Sequence, residues 1–548
     1  MRAAPLTKAP RAPGFAYLAI SAATLVLVGS LALNAEQAPP PTVAEFAPTA
    51  QEQITDAPPD QGSTTGDGPG QGEGPDGLAP SLSPSAVPTP TLTTAPRNRR
   101  CFGDPPRQTE DPQSPPCVDY WDPKSDNGGA TSPGVTADSM TIAWPFTLEK
   151  PRDTEILADY FNLRYQFYGR KLVLKRYEPR GGVFGPVDPQ AMRGDADFVH
   201  DQIKAFASLA YIPKAGAEHH YYDRLAQHKI IGIDSHASQR TEAHYTRFAP
   251  YQWNYLPAFD TMMRNYGEWI CKTLAGGAPE HAGTGISGRA ERVFGIAYHR
   301  AADQSAPDVE LITRLLNDCG IEPAATVEIS NASQVILRFV EQRVTSVICL
   351  CQGDHYINVL MPEATRQAFF PEWLVSSYHY LDYDGVGQKF PPEHAEHAFG
   401  ITFHNKWLPQ KDMPWYQAIK EADPNYSTGD DGWASAAYER YYELLLLASG
   451  IQMAGPNLTP QTFQQGMFKA RFPAKGSGRA PLFEVGGGFG PGDHSWADDA
   501  AVIWYSPTGP SYTTNQRRGT YCYVEHGRRW GIGQWPRGPM PLFEGDCK

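Results

Sequence analysis

Residues 134–179 alternate between short β-prone runs and one helical apolar face. Residues 141–144 are β-prone and stop at Pro145. Ile156, Leu157, Tyr160 and Phe161 then recur at helical spacing behind a candidate cap, Asp153 or Thr154. A short side-chain oxygen there can accept a first-turn N–H. Residues 172–177 are β-rich again. Strand, covering helix and second strand make a βαβ unit, and therefore predict a parallel sheet. Ligands of such sheets sit beyond the carboxyl ends of the strands, so the loop 145–152 points at a site.

The alternation persists downstream. Strands are expected at 206–211, 229–233, 293–298, 326–329, 347–350 and 373–377, and helices at 191–204, 221–228, 307–318, 334–342 and 357–369. Residues 248–257 (FAPYQWNYLP) are aromatic and proline-marked, and read as a crossing between two halves. Phe259, Met262, Met263, Tyr266, Ile270 and Leu274 share one face of a long helix. Residues 398–403 read as the return, followed by a strongly apolar helix at 438–449. Thr459-Pro460 opens another helix with a cap and a proline at its first position. Strands at 501–505 and 520–524 close the chain. The pattern predicts an α/β fold: two Rossmann-like lobes with parallel central sheets and a hinged cleft able to close over a ligand. The first lobe takes about residues 134–257 and 391–472, the second about 258–390 and 473–507, and 508–548 is an extension.

The amino-terminal part is different in kind. Residues 14–35 carry no charge and are long enough to cross a bilayer as a helix. Arg2, Lys8 and Arg11 precede them, which places residues 1–13 in the cytoplasm and the bulk outside. The expectation is a single-pass anchor in the cell membrane with an extracytoplasmic body; a cleaved signal peptide is the rival. No cysteine directly follows the apolar run, so a lipid anchor there is not indicated. Residues 36–100 are rich in Pro, Gly, Ser and Thr and are expected to be a disordered tether. Gly72, Gly74 and Gly77 match a nucleotide fingerprint in spacing alone, without the strand and helix it requires.

A formal charge of −13 argues against a nucleic-acid partner. Eight cysteines fit export into an oxidising space. The favoured pairs are Cys101–Cys117, Cys271–Cys319 and Cys522–Cys547. Cys349 and Cys351, two apart on a predicted strand, are expected not to bond each other. His394 and His397 are spaced as metal ligands on a helix can be, but no third ligand is indicated. Ser287 narrowly misses G-x-S-x-G. Asp498-Asp499 reads as a solvated turn. With no nucleophile or acid–base constellation, neither an enzyme nor a cofactor is expected.

GVTADSMTI, followed by a helix and FYGRKLVL, resembles the opening of the type I periplasmic-binding-protein family. Within it, the likeness is to the leucine/isoleucine/valine and urea/amide-type substrate-binding subunits of ABC importers. It continues in AGPNLTPQTF and WADDAAVIWYSP and spans residues 134–507. The resemblance implies capture of a small polar ligand, of the amino acid, amide or urea class, for delivery to ABC permease subunits. A membrane-tethered sensor or accessory binding protein is the alternative, and an extracellular hydrolase a more distant one. The resemblance implies ligand contacts from Phe146, Thr147, Ala215, Gly216, Ser235 and Ser238 in the first lobe. In the second it implies Tyr298, Gln304, Asp354, His355, Tyr378 and His379. Aromatic residues would wall an apolar side chain, and Asp354 would pair with an amine. One departure stands out: the hydroxyl that amino-acid binders present after the strand at 206–211 is missing from IPKAGA at 212–217.

Overall fold

The computed structural model describes residues 43–45, 101–104, 106–146, 150–181, 188–211, 217–237, 239–299, 309–351, 353–427, 434–470, 472, 485–513, 517–544 and 547. The expected anchor at 14–35 and nearly all of the expected tether lie outside them. Among the described residues no helix is long and apolar enough to cross a membrane.

In chain order the elements begin with strands β1 (Val43–Glu45) and β2 (Ser139–Pro145), helix α1 (Pro151–Arg164) and β3 (Lys171–Tyr177). Next come α2 (Pro189–Phe198), β4 (Ala207–Ser208), α3 (His219–Gln227), β5 (Ile231–Asp234), α4 (Glu242–Arg247) and β6 (Gln252–Asn254). They form a sheet ordered β1-β3-β2-β4-β5-β6, parallel except for β1 at its edge. The chain runs from β2 outward to β3 and then inserts β4 on the other side, which creates a crevice at the ends of β2 and β4.

The predicted βαβ unit is β2–α1–β3, and its sequence pattern explains its packing. Met140, Ile142 and Trp144 alternate along β2 and join Leu157 and Phe161 of α1 in the main core. Ala143, on the opposite face, packs with Met192, Ala196 and Tyr221. Both faces are covered, as a parallel sheet requires. Helix α1 starts one turn earlier than the caps at Asp153 or Thr154 predicted: Pro151 occupies its first turn, and Lys150 stands at the N-cap position without a side-chain capping bond. Proline's fixed φ favours that position, where its missing N–H costs nothing. Residues 252–254 of the expected crossing form β6, so the chain leaves the first sheet only after Asn254.

The second sheet is built from α5 (Phe259–Trp269), β7 (Phe294–Tyr298), α6 (Val309–Asn317), β8 (Ala325–Glu328), α7 (Ala332–Glu341), β9 (Ser346–Leu350), α8 (Gly353–Arg366), β10 (Glu372–Val375) and β11 (Ala398–Thr402). Residues 398–402, expected on the way back to the first lobe, instead hydrogen-bond in parallel beside β10. The fit depends on Gly400, where any Cβ would sit 1.8 Å from the Val375 carbonyl oxygen. The chain returns after Phe403 as α9 (Pro414–Ala422), α10 (Ala434–Ala454) and α11 (Pro460–Lys469). Helices α9 and α10 both pack on α1.

A last passage beside β6, where Asn254 N–H donates to the His494 carbonyl and Trp496 N–H to that of Asn254, leads into β12 (Asp499–Pro510). Antiparallel β12, β13 (Arg518–Tyr523) and β14 (Arg529–Gly531) complete the second sheet, so the carboxyl-terminal extension is integral to it. Asp498 and Asp499 are buried, not solvated; Arg529 and the Gly486 N–H hold Asp499.

Four disulfides form: Cys101–Cys117, Cys271–Cys319, Cys349–Cys351 and Cys522–Cys547. The third overturns the expectation for that pair. In a continuing strand their Cα atoms would stand about 6.6 Å apart. Here β9 ends at Leu350 and the separation falls to 5.0 Å.

The second sheet also buries a charge pair. Arg292 donates to both oxygens of Glu372 at 2.8 and 3.0 Å, at the start of β10. Replacing Arg292 with Met strands that carboxylate, and the loss should be about 3–5 kcal/mol in urea unfolding. A change below about 1 kcal/mol would show the pair to be dispensable.

Candidate functional site

The carboxyl ends of both parallel sheets converge on one cluster of polar and aromatic side chains. Its foundation comes from α10, an apolar helix with three charged residues, Glu439, Arg440 and Glu443. Arg440 and Glu443 lie one turn apart and form a fully buried ion pair at 2.6 Å. The guanidinium also donates to the Pro145 carbonyl at the end of β2, at 3.0 Å, and to the Ala210 carbonyl beyond β4, at 3.2 Å. The Glu443 carboxylate accepts the Ala210 N–H at 3.0 Å and the Ser235 hydroxyl, beyond β5, at 2.8 Å. Two side chains thus satisfy backbone groups at the ends of β2 and β4 and hold the Ser235 hydroxyl beyond β5. Burial raises the Glu443 pKa against the opposing pull of Arg440 and His236.

Beside them, Asp234 ends β5. It binds Arg240, accepts from the ring of His236 at 2.8 Å, and accepts the Ser235 N–H at 2.8 Å. Burial opposes its ionisation, but the charges of Arg240 and His236 hold its pKa below the usual carboxylate range. The second ring nitrogen of His236 has no hydrogen-bond partner and stands 3.7 Å from a Glu439 oxygen, so the attraction there is Coulombic. Burial disfavours the imidazolium, yet Asp234 and Glu439 outweigh it and raise the His236 pKa to about 10.

The second sheet supplies the facing wall. Gln239 donates to the Tyr378 hydroxyl at 2.9 Å, and the rings of His236 and Tyr380 meet edge to face at 5.9 Å. Both contacts join the end of β5 to the end of β10. Tyr380 holds a left-handed backbone at φ 62°, a conformation that bulky residues adopt only when their surroundings enforce it. Its ring stands perpendicular to that of Tyr383 at 4.9 Å, and the Tyr383 hydroxyl donates to Glu439 at 3.1 Å. Behind them Asp382 binds His404 at 2.9 Å. Ser377 donates to Asp382 at 2.6 Å, so that Asp–His pair carries no serine poised on the imidazole.

Of the residues the resemblance implied, Ser235 and Tyr378 fall inside this cluster, both already engaged. Phe146 lies just beyond β2, but its ring packs under the Arg176 guanidinium at 4.6 Å. Tyr298 ends β7. Asp354 and His355 sit in the first turn of α8, and His379 in the turn between Tyr378 and Tyr380. Thr147, Ala215, Gly216, Ser238 and Gln304 lie outside the described residues. His394 is buried packing: its ring accepts from the Trp373 indole at 3.1 Å and meets the Thr365 hydroxyl at 3.0 Å. Sequence reading missed Glu218, Asp234, His236, Arg240, Glu439, Arg440, Glu443 and Tyr380. The available signal was Glu, Arg and Glu within an otherwise apolar helix.

No family model matches the chain, and no curated protein matches it. Solved structures do. The chain is similar to an ABC transporter substrate binding protein from Aeropyrum pernix, with a TM-score of 0.51 and 11% identity over 72% of this chain and 96% of that one. It is similar also to a periplasmic binding protein from Burkholderia mallei, with a TM-score of 0.50 and 10% identity over 72% and 96%. At such identities the likeness is one of fold. The resemblance read in the sequence and the observed architecture agree on the fold of these binding proteins.

The imidazolium of His236 gives the cluster a pH signature. Its folded pKa, about 10, lies above the ordinary 6.5. Its stabilisation is therefore full below pH 6.5 and is lost as the pH rises through about 10. The unfolding midpoint of the native chain should fall across that window, and His236→Gln should flatten the fall. Parallel curves for the two proteins would refute the assignment.

Proposed function

We propose that this chain is an extracytoplasmic solute-binding protein that captures a small polar ligand between two α/β lobes and delivers it to an ABC permease. The observation that carries the reading is the meeting of the β5 and β10 ends at Gln239–Tyr378 and His236–Tyr380. Parallel strands of two sheets that face one another by their carboxyl ends support a common ligand site, since each such edge is where ligands of α/β sheets bind. The fold likeness to binding proteins supports a non-enzymatic role. Four disulfides support an oxidising, extracytoplasmic setting. The three passages of chain between the sheets are the straps about which the lobes turn. The charge-free run at 14–35 favours a second reading, a membrane-tethered sensor.

Isothermal titration of the full chain against amino acids, amides, urea and a broad metabolite panel tests the first reading. Saturable heat, with a smaller radius of gyration in solution scattering, is the expected result. Silence across the panel would sink it. Co-purification of a permease with the tagged chain separates delivery from sensing.

A further inference from the structure

Residues 101–117 precede the stretch that resembles binding proteins, and nothing in their composition favours an interior position. Between Phe102 and Cys117 the chain holds only Gly, Asp, Pro, Arg, Gln, Thr, Glu and Ser. Gln108, Thr109, Asp111, Gln113 and Ser114 are nonetheless buried, with Gln113 only 1% exposed. Polar side chains enter an interior where hydrogen-bond partners meet them.

The loop first satisfies itself. The Cys101–Cys117 disulfide closes it, the Arg107 N–H donates to the Phe102 carbonyl at 2.7 Å, and the Gln108 N–H to that of Pro115 at 3.0 Å. At the tip, the Asp111 carboxylate accepts the Gln113 N–H at 2.8 Å. The body of the loop is then fixed to helices of the first lobe. Tyr441 of α10 donates to Asp111 at 2.6 Å, Gln452 of α10 to the Pro116 carbonyl at 3.0 Å, and Gln108 to the Arg164 carbonyl at the end of α1.

From this base the Gln113 side chain reaches all three passages between the sheets. Its amide nitrogen donates to the Val485 carbonyl, on the third passage, at 2.8 Å. Its oxygen accepts from the Tyr255 hydroxyl, on the first, and from the Asn405 amide, on the second, both at 3.2 Å. The passages are also bonded to one another there. Asn405 donates to the Tyr255 hydroxyl at 2.8 Å, and the Val485 N–H donates to the Asn405 side-chain oxygen at 2.7 Å. Tyr255, Asn405 and Val485 are all buried. Lobes that turn about three passages must shift those passages against one another. Any such shift breaks hydrogen bonds at this hub, and buried groups left unpaired are destabilising.

Resting on the two-lobed binding reading, we propose that residues 101–117 form a hinge clamp. The loop grips the three passages through Gln113 and holds the lobes in the arrangement in which the β5 and β10 ends touch. The clamp sets how far the ligand-free chain opens, and a larger binding-competent fraction raises apparent affinity.

Hydrogen–deuterium exchange and solution scattering of the ligand-free full chain test this with Gln113→Leu. Amides at 254–258, 403–408 and 485–498 should exchange about tenfold faster, as loss of a buried hydrogen bond gives. The radius of gyration should rise, while β2, β3, β7 and β9 exchange as in the native chain. Unchanged exchange and radius would overturn the clamp. So would faster exchange spread evenly over both sheets, which marks ordinary core packing. Where Gln113→Leu does not fold, Gln113→Asn keeps the amide but shortens its reach, and the same criteria apply. The ligand titration reads out separately. Saturable heat with unchanged passages leaves the binding reading standing without the clamp. Silence of the metabolite panel with selectively loosened passages leaves the clamp standing without a ligand.

Discussion

The buried pair Arg440–Glu443 is the constraint on which the site depends. Parallel strands end in backbone groups that must find partners, and a buried group without one destabilises the fold by as much as a lost hydrogen bond. At β2 and β4 those partners come from a helix far along the chain, which also holds the Ser235 hydroxyl beyond β5. An ion pair withdrawn from water is stabilising only when its remaining hydrogen-bonding capacity is also satisfied. Backbone carbonyls, an amide and the Ser235 hydroxyl meet that condition here. Helix, strand ends and charge pair therefore stand or fall together.

Above that base the polar residues form linked layers rather than independent pairs. Asp234 couples Arg240 to His236, His236 faces Glu439, and Glu439 receives the Tyr383 hydroxyl from the other sheet. In a low-dielectric setting each such charge feels its neighbours strongly, so the state of one alters the rest. Contact between the two sheets is thus a matter of charge and ring geometry as much as of apolar packing.

Much of the architecture was legible from periodicity. The β2–α1–β3 unit, the order of strands and helices beyond it, and three of the four disulfides follow from apolar spacing and cysteine position. What was not legible has a common physical cause. Residues 398–402 read as a linker between halves because a five-residue apolar strand carries no mark of which sheet it joins; Gly400 was the clue, and only the proximity of Val375 gives it meaning. Cys349 and Cys351 were judged on strand geometry, and the strand stops between them. The site was the least legible part. Ser235 and Tyr378 were found as loop residues, but the partner of Ser235, Glu443, sits on α10, whose sequence records burial and not the strand ends it touches, and the partner of Tyr378, Gln239, sits in a loop of the other sheet.

The long reach of α10 has a consequence for biosynthesis. Ser235 and Glu443 are separated by 208 positions. At about 5–20 residues per second, the ribosome delivers Glu443 some tens of seconds at most after Ser235. During that interval the nascent β2–β6 segment exposes strand termini whose eventual counterparts have not been translated, while the second sheet emerges in between. Holding such an open intermediate clear of aggregation is a task for the folding machinery of whichever compartment receives it.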